Sequence, residues 1–109
     1  MARKLFTKEE VVLCTYIARF GRSQFNESDI SNLETRSVSS IKMKVSNIAA
    51  MLKEEGFEIN EEVSILSGKP PGQKGRRTNW DIVSNLQKYN RQELLNRCEK
   101  IMDFNRQNN

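Results

Sequence analysis

The chain has 109 residues, is 37% hydrophobic and 29% charged, and carries a formal charge of +4, which suits one globular domain with a single modest core. Its apolar runs are too short to span a bilayer, and M-A-R-K-L-F is followed by no apolar stretch such as a secretory signal needs, so a cytoplasmic protein without a membrane partner is expected. No histidine occurs, which removes the commonest general base, the usual zinc ligand and every Ser-His or Cys-His pair; enzymatic activity, a cofactor and a small-molecule substrate are not expected.

The first predicted helix is marked by its start. Thr7 and Glu10 in T-K-E-E form a capping box, each answering a backbone N–H that the helix leaves without a partner, and Phe6 and Val11 have the spacing of a hydrophobic staple. The helix is predicted to run to Arg19 or Phe20, with Leu13, Tyr16, Ile17 and Phe20 toward the core, and to stop at Gly21. The signature repeats in F-N-E-S-D-I, where Asn26 caps, Asp29 sits at the third position and Phe25 and Ile30 are the staple pair, giving a short helix over 27–34. E-T-R-S then makes a tight turn, and Ser37 caps a long helix to Glu55 that Gly56 ends. A short helix, a tight turn and a longer helix with a polar face is the helix-turn-helix arrangement.

Residues 57–68 alternate apolar and polar around N-E-E, which fits a small β wing and equally a short helix from Glu61 to Leu66. S-G-K-P-P-G-Q-K-G-R-R reads as a loop from its glycines and prolines. Thr78 is expected to begin a further helix, with Asp81 at the third position and Trp80, Val83 and Leu86 at helical spacing. Asn90 and Glu93 cap the last helix, whose apolar side is Leu94, Cys98, Ile101 and Met102, and F-N-R-Q-N-N at the end is expected to fray. The fold class is therefore mainly α, a single domain over 1–109 of about five helices. A helix-turn-helix core spans 7–56, a wing or loop with a basic arm 57–78, and C-terminal helices 79–105. Cys14 and Cys98 both fall in apolar helical patterns and read as small core residues.

Charge is segregated along the chain. Residues 57–68 hold Glu58, Glu61 and Glu62 and no base, whereas residues 69–78 hold Lys69, Lys74, Arg76 and Arg77 and no acid. The helix after Ser37 is divided as well. At 100° per residue, Val38, Ile41, Val45, Ile48 and Leu52 lie within about 80° of one another as a core stripe. Ser39, Met43, Ser46, Asn47 and Ala50 lie opposite, with Ser40 and Lys44 flanking one side and Lys42 the other. An ordinary surface helix also has a polar outer face. This one has no acid over 36–53, has small side chains that permit close approach, and follows a capped helix and a tight turn. Those features fit a recognition helix in the major groove: lysines meet phosphates, hydroxyls and an amide reach phosphates or base edges, and a thioether touches thymine methyls. The candidate DNA-binding residues are Arg36, Ser37, Ser39, Ser40, Lys42, Met43, Lys44, Ser46 and Asn47, together with Lys69, Lys74, Arg76 and Arg77 of the basic loop.

S-I-K-M-K-V-S-N-I-A-A resembles the S-V-x-M-K-L-x-N-F-A-A motif in the N-terminal DNA-binding region of many phage and bacterial endonucleases of HNH or GIY-YIG type. The matching positions are Ser40, Ile41, Met43, Lys44, Val45, Asn47, Ala49 and Ala50, and Glu9 to Phe20 is similar to the first helix of that region. The resemblance covers residues 7–56 and departs in lacking a nuclease half. It implies a DNA-binding module standing alone, suited to transcriptional repression or to competing for an endonuclease site. It also implies a second role for Ser40, Lys44 and Asn47 in building helix packing, with specificity then falling to Arg36, Ser39, Lys42, Met43 and Ser46.

The function expected from the sequence is sequence-specific binding of double-stranded DNA as a phage or mobile-element repressor that occludes a promoter or operator. A homodimer on paired half-sites is expected, with Leu94, Leu95, Cys98, Ile101 and Met102 as the dimer surface unless they pack within the monomer. The alternative is a small interaction protein that inhibits a host or rival protein.

Overall fold

The computed structural model describes residues 6–34, 36–61, 63 and 79–107. Among these residues the chain forms five helices and no strand: α1 (Lys8–Phe20), α2 (Glu27–Glu34), α3 (Val38–Glu54), α4 (Trp80–Leu86) and α5 (Arg91–Gln107). The mainly α class and the number of helices are as expected. Residues 57–61 and 63 carry no strand, and the rest of the segment in which a wing was expected lies outside the described residues.

Local chemistry sets the helix ends. Thr7 and Glu10 make both halves of the capping box, at 3.1 Å from the Glu10 amide to the Thr7 hydroxyl and 2.7 Å from the Thr7 amide to the Glu10 carboxylate. Asn26 with Asp29, and Asn90 with Glu93, repeat that reciprocal exchange at the starts of α2 and α5. At the end of α3, Gly56 adopts φ +86°. The Phe57 amide reaches the Leu52 carbonyl at 2.9 Å and the Gly56 amide the Lys53 carbonyl at 3.0 Å, a Schellman closure that a left-handed residue makes possible.

Two expected ends differ. Asn79, not Thr78, is the residue that precedes α4, in a left-handed conformation and with no side-chain cap; Thr78 lies outside the described residues. At the C-terminus α5 continues through Gln107 rather than fraying after Asp103. Nothing in F-N-R-Q breaks a helix, and each added residue extends an existing one without new nucleation.

α1 is the central element, packed against α2, α3, α4 and α5. Its burial accordingly runs all the way round from Glu10 to Ala18, beyond the single apolar stripe that periodicity indicates. Tyr16 is the aromatic hinge of this core, with ring centroids 5.2 Å from Phe20 and 5.3 Å from Phe25. Past the end of α1 the chain packs tightly: Gly21 has φ +92°, a Cβ there would sit 2.9 Å from the Asn60 amide nitrogen, and the Asn60 backbone N–H donates to the Ala18 carbonyl at 2.9 Å.

Cys14 and Cys98 are free and buried; burial pushes the Cys98 thiol up to about 12 and raises Cys14 as well. On α5, Leu94 and Cys98 are fully buried, and Leu95, Ile101 and Met102 are half-buried against the same core. The apolar side of α5 thus packs within the monomer.

Candidate nucleic-acid interface

α2, the turn after it and the first three turns of α3 position the candidate residues. The turn is held by the Ser31 hydroxyl, which donates to the Arg36 carbonyl, and by Ser37, whose hydroxyl accepts the Ser40 amide at 3.2 Å and donates to the Ser40 hydroxyl at 2.9 Å. Ser37 and Ser40 thus help to start α3 while both stay exposed.

Arg36 and Lys44 turn inward. The Arg36 side chain is only 9% exposed; its guanidinium donates to both Glu10 carboxylate oxygens, at 2.7 and 2.9 Å, and lies 3.9 Å from the Phe6 ring centroid. Glu10 is fully buried and serves Thr7 and Arg36 together, so one carboxylate ties the start of α1 to the turn before α3. Lys44 is 7% exposed, and its ammonium donates to the Asn79 side-chain oxygen at 2.8 Å and lies 5.3 Å from the Phe6 ring centroid. Burial, joined by the nearby Arg36 cation, holds the Lys44 pKa below its ordinary value. This bond also explains α4: Asn79 gives its oxygen to Lys44 instead of capping the helix.

What remains outward is a smaller surface. Ser37, Ser39, Ser40, Lys42 and Met43 are exposed, and Ser46 and Asn47 half-exposed. Neither Lys42 nor Asn47 makes a side-chain hydrogen bond among the described residues, so Asn47 is not engaged in packing bonds there. Ala50, expected on the same face, is buried, as are Ala49, Met51 and Leu52, so this face ends at Asn47 and exposure resumes only at Lys53. Lys69, Lys74, Arg76 and Arg77 lie outside the described residues.

Lys42 and Ser46 border a cleft whose other wall is the start of α2, with Asn26, Glu27 and Ser28, and Arg22. Glu27 is the acid lining this cleft. Burial opposes its charge, but the Arg22 guanidinium, bonded to both its oxygens at 2.8 to 3.0 Å, and the Lys42 charge hold its pKa below the ordinary value. The Glu27 carboxylate is thus held by Arg22, and Lys42 acts on it only by its charge, from the rim and without a bond.

Sequence reasoning missed two residues of this arrangement. Glu10 was visible only as a cap, and Asn79 carried no signal at all. Their partners lie 26 and 35 positions away, beyond the reach of any local pattern. Comparison with known protein families, curated proteins and solved structures finds no match.

Proposed function

We propose that this chain binds double-stranded DNA sequence-specifically through the outward face of α3, and acts as a repressor of phage or mobile-element type by occluding a promoter or operator. One observation carries the reading: Ser39, Lys42, Met43, Ser46 and Asn47 form a solvent-facing surface without an acid, on the longer helix of a helix–turn–helix succession. Lys42 at its edge suits a phosphate, and the short hydroxyls and amide suit base edges. The resemblance of S-I-K-M-K-V-S-N to endonuclease DNA-binding regions supports the same reading, as does the acid-free run over 69–78. Arg36 and Lys44 serve it indirectly, by fixing how α3 leaves the turn.

A salt series of binding to mixed duplex fragments tests this. The observed log affinity should fall linearly with log[salt], by about 0.9 for each phosphate neutralised. Undetectable duplex binding at low salt, or binding indifferent to salt, sinks the reading and leaves inhibition of another protein as the stronger one. A footprint then reports whether the site is single or a pair of half-sites, and with it whether one copy or two engage DNA.

A further inference from the structure

Met43 is a long apolar side chain left 62% exposed in the middle of a polar face. The other exposed large hydrophobic among the described residues, Phe57, has the Trp80 ring beside it at 6.5 Å. Met43 is not among the residues of the core or those packed against it. Its neighbours on the helix surface, three and four positions away, are Ser39, Ser40, Ser46 and Asn47, every one of them shorter. The thioether therefore stands proud of its surroundings. With Arg36 and Lys44 turned into the fold and Lys42 at the flank, the centre of the face carries no charge.

This pattern is a poor match to a protein-docking surface of the contiguous apolar kind. It is also wrong for a phosphate, which needs a cation or an N–H. It fits the floor of a major groove, where base edges supply donors and acceptors to short polar side chains and the thymine 5-methyl is the apolar feature. A flexible, polarizable thioether adapts to a methyl group without demanding one rotamer.

We propose, on the basis of the DNA reading above, that Met43 is the specificity-determining residue of α3 and selects a pyrimidine bearing a 5-methyl group, a thymine in ordinary DNA. Lys42 then supplies affinity without sequence information, and Ser39, Ser46 and Asn47 border the methyl contact with polar ones.

The test begins with duplexes enriched from a random pool by the full chain, followed by replacement of each thymine by uracil, which removes only the 5-methyl. Binding should weaken by about fourfold at one or two positions, the effect of one methyl-sized group removed from an apolar contact, and remain within about twofold elsewhere. Met43→Gln, a good helix former at an exposed site, should keep the thermal stability of the chain and bind the thymine and uracil duplexes equally. Met43→Leu should restore the preference for the methyl. The proposal is overturned if no uracil substitution weakens binding, if the loss persists unchanged in Met43→Gln, or if the enriched duplexes lack thymine in their shared sequence. Absence of any duplex binding overturns the DNA reading itself and this proposal with it.

Discussion

Arg36 and Lys44 on one side, and Lys42 and Met43 on the other, lie within nine consecutive positions yet face opposite environments. The first pair has lost nearly all its exposure to Glu10, Phe6 and Asn79; the second pair remains in solvent. Three cations of similar appearance in the sequence thus divide into two that hold the fold and one at the surface. A cation on an acid-free stretch reveals its role only through what it touches. The inward pair is strongly bound because a buried charge without a partner is costly, whereas Lys42 makes no hydrogen bond or ion pair among the described residues.

The sharpest way to break this contrast is to remove one half of the buried ion pair. Arg36→Ala should cost about 3–5 kcal/mol in urea denaturation, because Glu10 is left charged and buried. Glu10→Gln with Arg36→Met removes both charges, keeps an acceptor for the Thr7 amide and should recover most of that loss; if the double variant is as unstable as the single one, the buried charge is not what destabilises this junction.

Lys44 comes next in size. Asn79→Ala removes the acceptor of its ammonium and should cost about 1.5–3 kcal/mol, the range for a hydrogen bond to a charged group. The pH dependence has a definite sign. The folded pKa of Lys44 lies below its ordinary 10.5, so between the two values the unfolded chain holds the proton and the folded chain does not. Stability from this group therefore rises with pH through that window, and Lys44→Met should remove the rise. A stability curve of Lys44→Met that still climbs identically toward pH 10.5 would assign the effect to another group.

The smallest effect on folding belongs to the outward residue. Lys42→Ala should leave the denaturation midpoint where it is, since exposed substitutions change stability little. It should still weaken binding to every duplex and reduce the salt slope by about 0.9. A loss of stability without a change in slope would move Lys42 into the same class as Arg36 and Lys44.

Much of the architecture was legible because its signals are local. A capping box joins residues three apart, and a stop requires one glycine, so the starts of α1, α2, α3 and α5 and the ends of α1 and α3 follow from a few neighbouring side chains. The start of α4 was misplaced because Asn79 answers Lys44, which is distant in sequence, instead of its own helix. Ala50 lies opposite the core stripe on a helix wheel yet is buried, because a single wheel does not register what a neighbouring element covers.

The sequence by itself therefore determined the helices, their order, and a face of α3 free of acids, since caps, stops and periodicity act within a turn or two of backbone. Only the tertiary structure decided which cations on and before that face are withdrawn and which stay outside. Glu10 reaches Arg36, and Asn79 reaches Lys44, only after α1, α3 and α4 have packed, and the desolvation that commits those charges to partners does not exist until then.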